Sequence, residues 1–240
     1  DGGAFIRQAS GTTVHKNITF RNADIRATHD ESADHGNAYC ATLCGNMIGT
    51  YTMENVHAYD GKLYGVNKMG GLLGRVYATA TIKDCSVSGY YIENYEVNDK
   101  PEVFEKGVDA FITTITVKAT FYPQGEIGGM IGFIQAKANV SNCHLYNTEI
   151  KATGQKDNKD YMIVTIPGRH IGTVIGDIRT SIADHVVTID NCSSDDSTST
   201  YAKSHWLDEQ SGATFIGKCY AVPVIDTKGK VIVDGKSISY

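Results

Sequence analysis

The chain has 240 residues, enough for one domain with a sizeable core, and a formal net charge of −5 at pH 7. The balance of 27 Asp and Glu against 22 Lys and Arg excludes the basic surface of a nucleic-acid-binding protein. No apolar run is long enough to span a bilayer. We therefore expect a single domain over residues 1–240, with no nucleic-acid partner and no membrane insertion.

Apolar octets that contain glycine recur along the chain. Glycine weakens helices and strands alike, so a repeated use of such octets indicates architecture. They share the form Gly-x-small/apolar-apolar-Gly, with Ile6 in place of the last glycine in the first copy. In chain order they are GGAFIRQA from Gly2, CGNMIGTY from Cys44, MGGLLGRV from Met69, IGGMIGFI from Ile127, IGTVIGDI from Ile171 and GATFIGKC from Gly212.

A second element follows every octet and has the form apolar-x-Asn/Asp. Its Asn or Asp residues are Asn22, Asn55, Asp84, Asn142, Asn191 and Asp234. Two elements that alternate six times define an internal repeat. The path from octet to Asn or Asp is short, whereas the path onward to the next octet is long and variable, which predicts insertions on one side of the fold.

The repeats are rich in residues that favour strands. Segments 79–87 and 111–122 contain many β-branched residues, and no segment sustains the apolar stripe of a helix. One repeat is too small to bury its own apolar face, so the repeats must stack. The sequence therefore predicts an all-β fold, a parallel β-helix or related β-solenoid of about five to six irregular coils with long insertions on one side.

Equivalent positions of stacked repeats should form rows. Two rows of glycine are expected where coils turn tightly or backbones approach closely. A nucleotide-binding loop is the rejected alternative, because no Gly-x-Gly-x-x-Gly or Walker pattern is present. The row of Asn and Asp should hold a turn, either through stacked amides or through local turn preference. The expected members are Gly70, Gly74, Gly128, Gly132, Gly172 and Gly176, and Asn55, Asp84, Asn142 and Asn191.

Cysteines occupy one shared position in three repeats. Cys85, Cys143 and Cys192 each follow the Asn or Asp, which predicts a row of buried, reduced thiols. A disulfide between neighbours is the alternative. Cys40 and Cys44 lie four residues apart without a second ligand pair at zinc-finger spacing, so we expect no zinc and no other cofactor.

Two clean copies of the repeat, GGLLGRVYATATIKDCSVSGYYI and GGMIGFIQAKANVSNCHLYNTEI, resemble the GLUG repeat of bacterial cell-surface proteins. The resemblance covers most of the chain as scattered anchors with unmatched insertions between them. It implies a secreted, adhesin-like bacterial protein, extracellular or on the cell surface, of which this chain is a fragment. It transfers no catalytic residue, because the repeat motif is structural.

Any chemistry should come from four insertions, at residues 26–37, 90–106, 153–161 and 193–209. Tyr90, Tyr91, Tyr95 and Trp206 are the candidate binding residues, since exposed aromatic rings stack on sugars or anchor protein partners. Core packing of the tyrosines and a lid role for the tryptophan remain open. The first insertion also holds weak candidates for metal ligands, namely His29, Asp34 and His35, in a segment that fits a solvated loop better than a metal site.

These observations predict a non-enzymatic adhesion module that binds a glycan or an extracellular protein. The first alternative is a β-helix carbohydrate-active enzyme, either a polysaccharide lyase or a hydrolase, which needs converging carboxylates. The adjacent Asp195 and Asp196 would point to opposite faces of a strand, and hydrolase signatures are absent. The second alternative is a component of a phage or secretion fibre.

Overall fold

A computed structural model describes residues 3–27, 39–65, 68–94, 102–110, 113–121, 125–152, 169–180, 182–201, 210–212, 216, 218–220 and 229–238. These residues contain strands and no helix. The strands are β1 Ile6–Arg21, β2 Asp24–Arg26, β3 Tyr39–Ala41, β4 Cys44–Tyr59, β5 Lys62–Gly65, β6 Lys68–Gly70, β7 Leu73–Ser88, β8 Tyr91–Asn94, β9 Glu102–Ala110, β10 Thr113–Phe121, β11 Gly125–Gly128, β12 Ile131–Ile134, β13 Ala138–Tyr146, β14 Glu149–Ala152, β15 Arg169–Gly172, β16 Ile175–Ile178, β17 Val186–Asp190, β18 Ser193–Asp195, β19 Thr198–Tyr201, β20 Gln210–Gly212, β21 Lys218–Tyr220, β22 Lys230–Val233 and β23 Lys236–Ile238.

The repeats contribute strands to three sheets. Sheet I has ten strands: seven follow the order β1-β4-β7-β13-β17-β22-β23, and β12, β16 and β18 pair beside them. Sheet II has the order β21-β15-β11-β6-β3, and sheet III has the order β2-β5-β8-β14-β19-β20. Repeats 2 to 5 each enter through sheet II, cross sheet I and leave through sheet III, whereas repeat 1 reaches sheet II only through the bridge of Gly3 to Cys40. The repeats are numbered 1 (residues 3–26), 2 (39–65), 3 (68–94), 4 (125–152) and 5 (169–201).

Strands of successive repeats pair in parallel. The β1–β4 pair aligns Thr12 with Thr50, and the β4–β7 pair aligns Thr50 with Thr79. The antiparallel pairs among the described residues are β9–β10, β15–β21, β19–β20 and β22–β23. The all-β class is therefore confirmed, and the mostly parallel sheets are compatible with the predicted β-helix.

The core lies between the three sheets and follows from alternation along each strand. In β7, Val76, Ala78, Ala80 and Ile82 are buried while Tyr77, Thr79 and Thr81 between them are exposed, as the two-residue period of a strand requires. Equivalent residues of other repeats stack on these. Met53, Ile82, Val140 and Ile189 occupy one row, and each is at most 1% exposed.

The row of Asn and Asp has a backbone explanation. Its members adopt positive φ, a conformation that Asn and Asp tolerate better than other non-glycine residues. The extra left-handed residue interrupts strand alternation, so that Glu54 and Asn55 both face outward. We call this row the Asn ladder; its members are Asn17 (φ 56°), Asn55 (52°), Asp84 (56°), Asn142 (52°), Asn191 (49°) and Asp234 (45°).

The prediction of Asn22 as the first ladder member is wrong. The register aligns Lys16 with Glu54 and Ile18 with Val56, so Asn17 lies opposite Asn55. The apolar-x-Asn pattern did not identify Asn17 because His15, a polar residue, occupies the position aligned with the apolar Met53. A hydrogen bond of 2.8 Å joins the His15 Nδ1 atom and the Tyr51 hydroxyl. Asn22 instead begins a second row of positive-φ residues, the corner row, which comprises Asn22, Asp60, Gly89, Asn147 and Asp196.

The glycine rows arise from close backbone approach. Gly128 is the register partner of both Gly70 and Gly172. A Cβ on Gly132 would lie 2.5 Å from the Gly74 carbonyl oxygen and 2.7 Å from the Met69 amide nitrogen, distances that atoms cannot reach without a backbone shift. Positive φ plays no part here, since the described glycines with positive φ are Gly11, Gly49, Gly89 and Gly235.

Candidate functional site

The insertions leave the scaffold at equivalent positions. The last residues of sheet III strands are register partners: Asn94 aligns with Gly65 and with Ala152, and Ala152 aligns with Tyr201. From these ends the chain proceeds to the next strand of sheet II. The described part of one insertion is the antiparallel hairpin β9–β10. The predicted insertion bounds are too wide, because residues 90–94 and 193–195 belong to the sheets or to the corner beside them.

Tyr90 is a core residue and not a surface anchor. Its side chain is 2% exposed, and its hydroxyl lies 3.0 Å from the Thr42 Oγ1 atom in a buried hydrogen bond. Burial raises the pKa of the Tyr90 phenol above its ordinary value. Core packing, one of the alternatives that the sequence leaves open, therefore describes this side chain, and a binding role for Tyr90 stays a prediction. Glycine at position 61 leaves room for the ring.

Tyr91, the next residue, lies on the outer face of sheet III. It is half-buried, and its hydroxyl donates to the Glu93 Oε2 atom at 2.9 Å. Desolvation, followed by the hydrogen bond to Glu93, raises the pKa of Tyr91 above its ordinary value. Its ring centroid is 5.9 Å from that of Tyr64, over which the Arg26 guanidinium lies at 4.7 Å. We call these two rings the tyrosine pair.

A groove of about 410 Å³ runs beside the tyrosine pair along the corner between sheets I and III. It crosses repeats 2 to 5, because the same positions of each repeat line it. Its carboxylates outnumber its single cation, so it is acidic. We call it the corner groove; it is lined by Asp60, Gly61, Lys62, Gly89, Tyr90, Tyr91, Asn147, Thr148, Glu149, Asp196 and Thr198.

The remaining predicted binding and metal residues, namely Tyr95, Trp206, His29, Asp34 and His35, lie outside the described residues. Within the described part of the chain, no group of three or more His, Cys, Asp or Glu side chains is placed to hold a metal ion. The described residues also contain no helix long and apolar enough to cross a membrane.

The three aligned cysteines lie side by side on neighbouring strands. Cys85 is the register partner of Cys143, and the Cys143 thiol contacts the thiols of both Cys85 and Cys192. Cys85, Cys143 and Cys192 are free, but Cys192 is only half-buried, so the prediction that all three are buried is wrong for Cys192. On the far side of β17 the strand β22 ends at Val233 and turns back into β23, so the described strand pairing stops before it reaches the position of Cys192.

Cys40 and Cys44 are free and buried, on β3 and β4 respectively. Desolvation by burial raises the pKa of the Cys40 thiol to about 12 and that of Cys44 to about 11. Because the thiolate is the reactive form, both groups are held in their unreactive protonated state at neutral pH. Their position and protonation fit a structural role.

A second outward aromatic strip escaped prediction. His57 and Tyr59 in β4 face outward, as do the equivalent His144 and Tyr146 two strands away, and the His57 and Tyr59 rings stack with centroids 6.3 Å apart. The signal was present in the sequence, since both His-x-Tyr pairs stand two and four residues after a ladder asparagine. Ser86 lies between the two pairs, and its hydroxyl forms a hydrogen bond of 2.8 Å with the His57 Nδ1 atom.

One group of described ionisable side chains is buried and mutually paired. Lys68 and Arg179 each lie 3.7 Å from a carboxylate oxygen of Glu126, and Arg179 donates to Asp177 at 2.8 Å. Glu126 and Asp177 are 2% and 3% exposed. Desolvation lowers the pKa of the Lys68 ammonium despite the neighbouring Glu126. Such a group ties sheet II to sheet I and offers a substrate little access.

In comparisons with known proteins, no family model, curated protein or solved structure matches the chain.

Proposed function

We propose that the chain is a β-solenoid module of a secreted or cell-surface protein that binds a glycan, without catalysis, through the outer face of sheet III. The observation that carries the proposal is the tyrosine pair beside the corner groove. Two outward rings on adjacent strands, tilted by 50° to each other, offer aromatic surface against which a glycan can pack, and groove side chains supply hydrogen-bond donors and acceptors. The site adjoins the points where the insertions leave the scaffold.

The charge of the corner groove favours one class of sugar. Asp60, Glu149 and Asp196 line it against the single cation Lys62. Carboxylates repel uronic acids and sialic acids, whereas they accept hydrogen bonds from neutral hydroxyl groups and attract amines. The expected ligand is therefore a neutral or amine-bearing glycan. The solenoid assignment is supported by the parallel register of successive repeats, and the surface location by the resemblance to the GLUG repeat.

The test is glycan-array binding followed by affinity measurements on point variants. Tyr64→Ala and Tyr91→Ala should each weaken binding at least about tenfold, as expected of an anchor that contributes about 1.4 kcal/mol or more. Tyr146→Ala is the matched control, because it removes an outward tyrosine that is 40% exposed from the other strip. Loss of binding in Tyr146→Ala alone would place the glycan on sheet I and contradict the proposal.

The alternative of a carbohydrate-active enzyme is tested with the same ligands. Incubation of the protein with each bound polysaccharide should release neither new reducing ends nor unsaturated products. If products form and Glu149→Gln abolishes them, the corner groove is a catalytic site and the binding proposal fails. If the array contains no ligand and a surface protein binds through Tyr91 instead, the glycan assignment fails.

A further inference from the structure

In the described part of the chain, the strands of repeat 1 are paired along one edge only. Among the described residues, β1 pairs with β4 alone, β2 pairs with β5 alone, and Gly3 forms a single bridge to Cys40. The far end differs, because β22 turns back into the antiparallel strand β23, which covers its edge. Edge strands with free N–H and C=O groups are templates for further pairing.

Apolar side chains of repeat 1 are more exposed to solvent than the aligned side chains of repeat 2. Ile18 and Ile25 are only partly buried, although Val56 and Leu63, the residues aligned with them in repeat 2, are 0% exposed. Phe5, immediately before β1, is 75% exposed. A further strand layer over repeat 1 would bury this surface as repeat 1 buries that of repeat 2.

The side-chain hydrogen bonds between asparagines of the Asn ladder all run in one direction, toward the same edge. The Asn55 Nδ2 atom donates to the Asn17 Oδ1 atom at 2.7 Å, and the Asn191 Nδ2 atom donates to the Asn142 Oδ1 atom at 2.7 Å. In both pairs the donor belongs to the later repeat and the acceptor to the earlier one. Asn17 has no earlier repeat among the described residues, so its amide is the donor at the open end.

We propose that the free edge of β1 docks one additional parallel strand that carries the repeat's own pattern, with an Asn or Asp side chain opposite Asn17. The occupant is defined by its chemistry: apolar residues at the inward positions and an amide or carboxylate acceptor at the ladder position. The argument is continuity with an established interface, since repeats 1 to 5 already pair through this same combination of strand ladder, apolar rows and ladder residues.

The test uses a labelled peptide with the sequence of residues 44–59, carrying Cys44→Ser, added to the folded chain. Fluorescence anisotropy should show saturable binding, and hydrogen exchange should slow at the β1 amides. The matched peptide with Asn55→Gly keeps the positive φ but lacks the acceptor, so it should bind about three- to tenfold more weakly, the effect of one hydrogen bond.

Two protein variants separate docking from stability. Asn17→Gly should weaken peptide binding by a similar factor, whereas Asn191→Gly, which also loses a ladder bond but lies far from the edge, should bind normally. Thermal melts followed by circular dichroism verify that both variants fold. Unchanged exchange at β1, equal binding of a reversed-sequence peptide, or a dimer that protects β1 without peptide would overturn the proposal.

Discussion

At the scale of single residues, the Asn ladder depends on a backbone conformation that few side chains adopt. Asn142 has a φ of 52°, donates its amide to Asp84 at 3.0 Å and accepts from Asn191 at 2.7 Å. The residue type is thus selected twice, once by the left-handed backbone and once by the hydrogen bonds to the adjacent strands.

Two substitutions of Asn142 separate what the positive φ and the side-chain hydrogen bonds each contribute to the free energy of unfolding. Asn142→Gly should cost about 1–2 kcal/mol, because it keeps the backbone free and removes the side-chain bonds. Asn142→Leu should cost at least about 1 kcal/mol more, because leucine adds the strain of positive φ. Urea unfolding with fitted midpoints measures both. Equal midpoints for the two variants would show that backbone strain is irrelevant.

Glycine is required for different reasons at different positions. Gly132→Ala should destabilise the fold by about 3 kcal/mol, because the new Cβ would meet backbone atoms that side-chain motion cannot move away. Gly11→Ala should cost only about 1 kcal/mol, since Gly11 has a φ of 76° but open space around it. Chemical denaturation of the two alanine variants makes the comparison. A larger loss at Gly11 would contradict the close-approach explanation.

His15 makes stability depend on pH. Desolvation lowers the pKa of His15, so the unfolded chain binds more protons below about pH 6.5, the ordinary value for histidine. The stability that His15 contributes is present above that pH and is lost as pH falls through the folded-state pKa. His15→Gln should flatten the dependence between pH 7.5 and 5, measured by urea unfolding at each pH. A steeper fall in the variant would contradict this sign.

At the scale of elements, the insertion that holds β9 and β10 should be dispensable for folding. Repeat 2 passes from Gly65 to Lys68 through only two residues, and Asn94 is the register partner of Gly65 as Ile127 is of Met69. Replacing residues 95–125 with Val-Asn, the two residues at 66–67, should therefore leave the melting midpoint nearly unchanged, because Glu126 then follows as Lys68 does in repeat 2. The control replaces residues 153–169 in the same way. Loss of a cooperative transition in the first variant alone would show that the hairpin supports the scaffold.

The elements were predictable from the sequence to different degrees. The octets from Met69, Ile127 and Ile171 and the row of cysteines were found because the same residues recur in the same order. The octet predicted from Cys44 is wrong by four residues, since Cys44 aligns with Leu73 and Gly49 with Ala78. The start of the ladder was missed because His15 hides the apolar signal, although Asn17-x4-Asn22 matches Asn55-x4-Asp60 and marks both positive-φ rows. The sequence left open which of Tyr90 and Tyr91 is buried, because the two residues are chemically alike and only their alternation about the corner row decides it.

At the scale of the whole molecule, the open edge predicts uneven local stability. Repeat 1 has a neighbour on one side and partly exposed apolar residues, whereas repeats 2 to 4 are paired on both sides. In stacked repeats each unit is stabilised by its neighbours, so the end unit should open most readily. Native-state hydrogen exchange should show faster exchange in β1 and β2 than in β4 and β7. Uniform protection across these strands would contradict the prediction.

The shared exit point of the insertions bears on how such a chain can diverge. The segments that follow sheet III contain 12 residues after Arg26, two after Gly65, 30 after Asn94 and 16 after Ala152. Each doubling of a flexible segment costs only about 0.6 kcal/mol of closure entropy. Insertions and deletions between sheets III and II should thus cost little folding free energy, while the same changes in a glycine row would break the backbone contacts there. Relatives of this chain should accordingly vary in length between sheets III and II, and also between β16 and β17, where repeat 5 already has five more residues than repeat 4, and keep the count constant through the glycine rows.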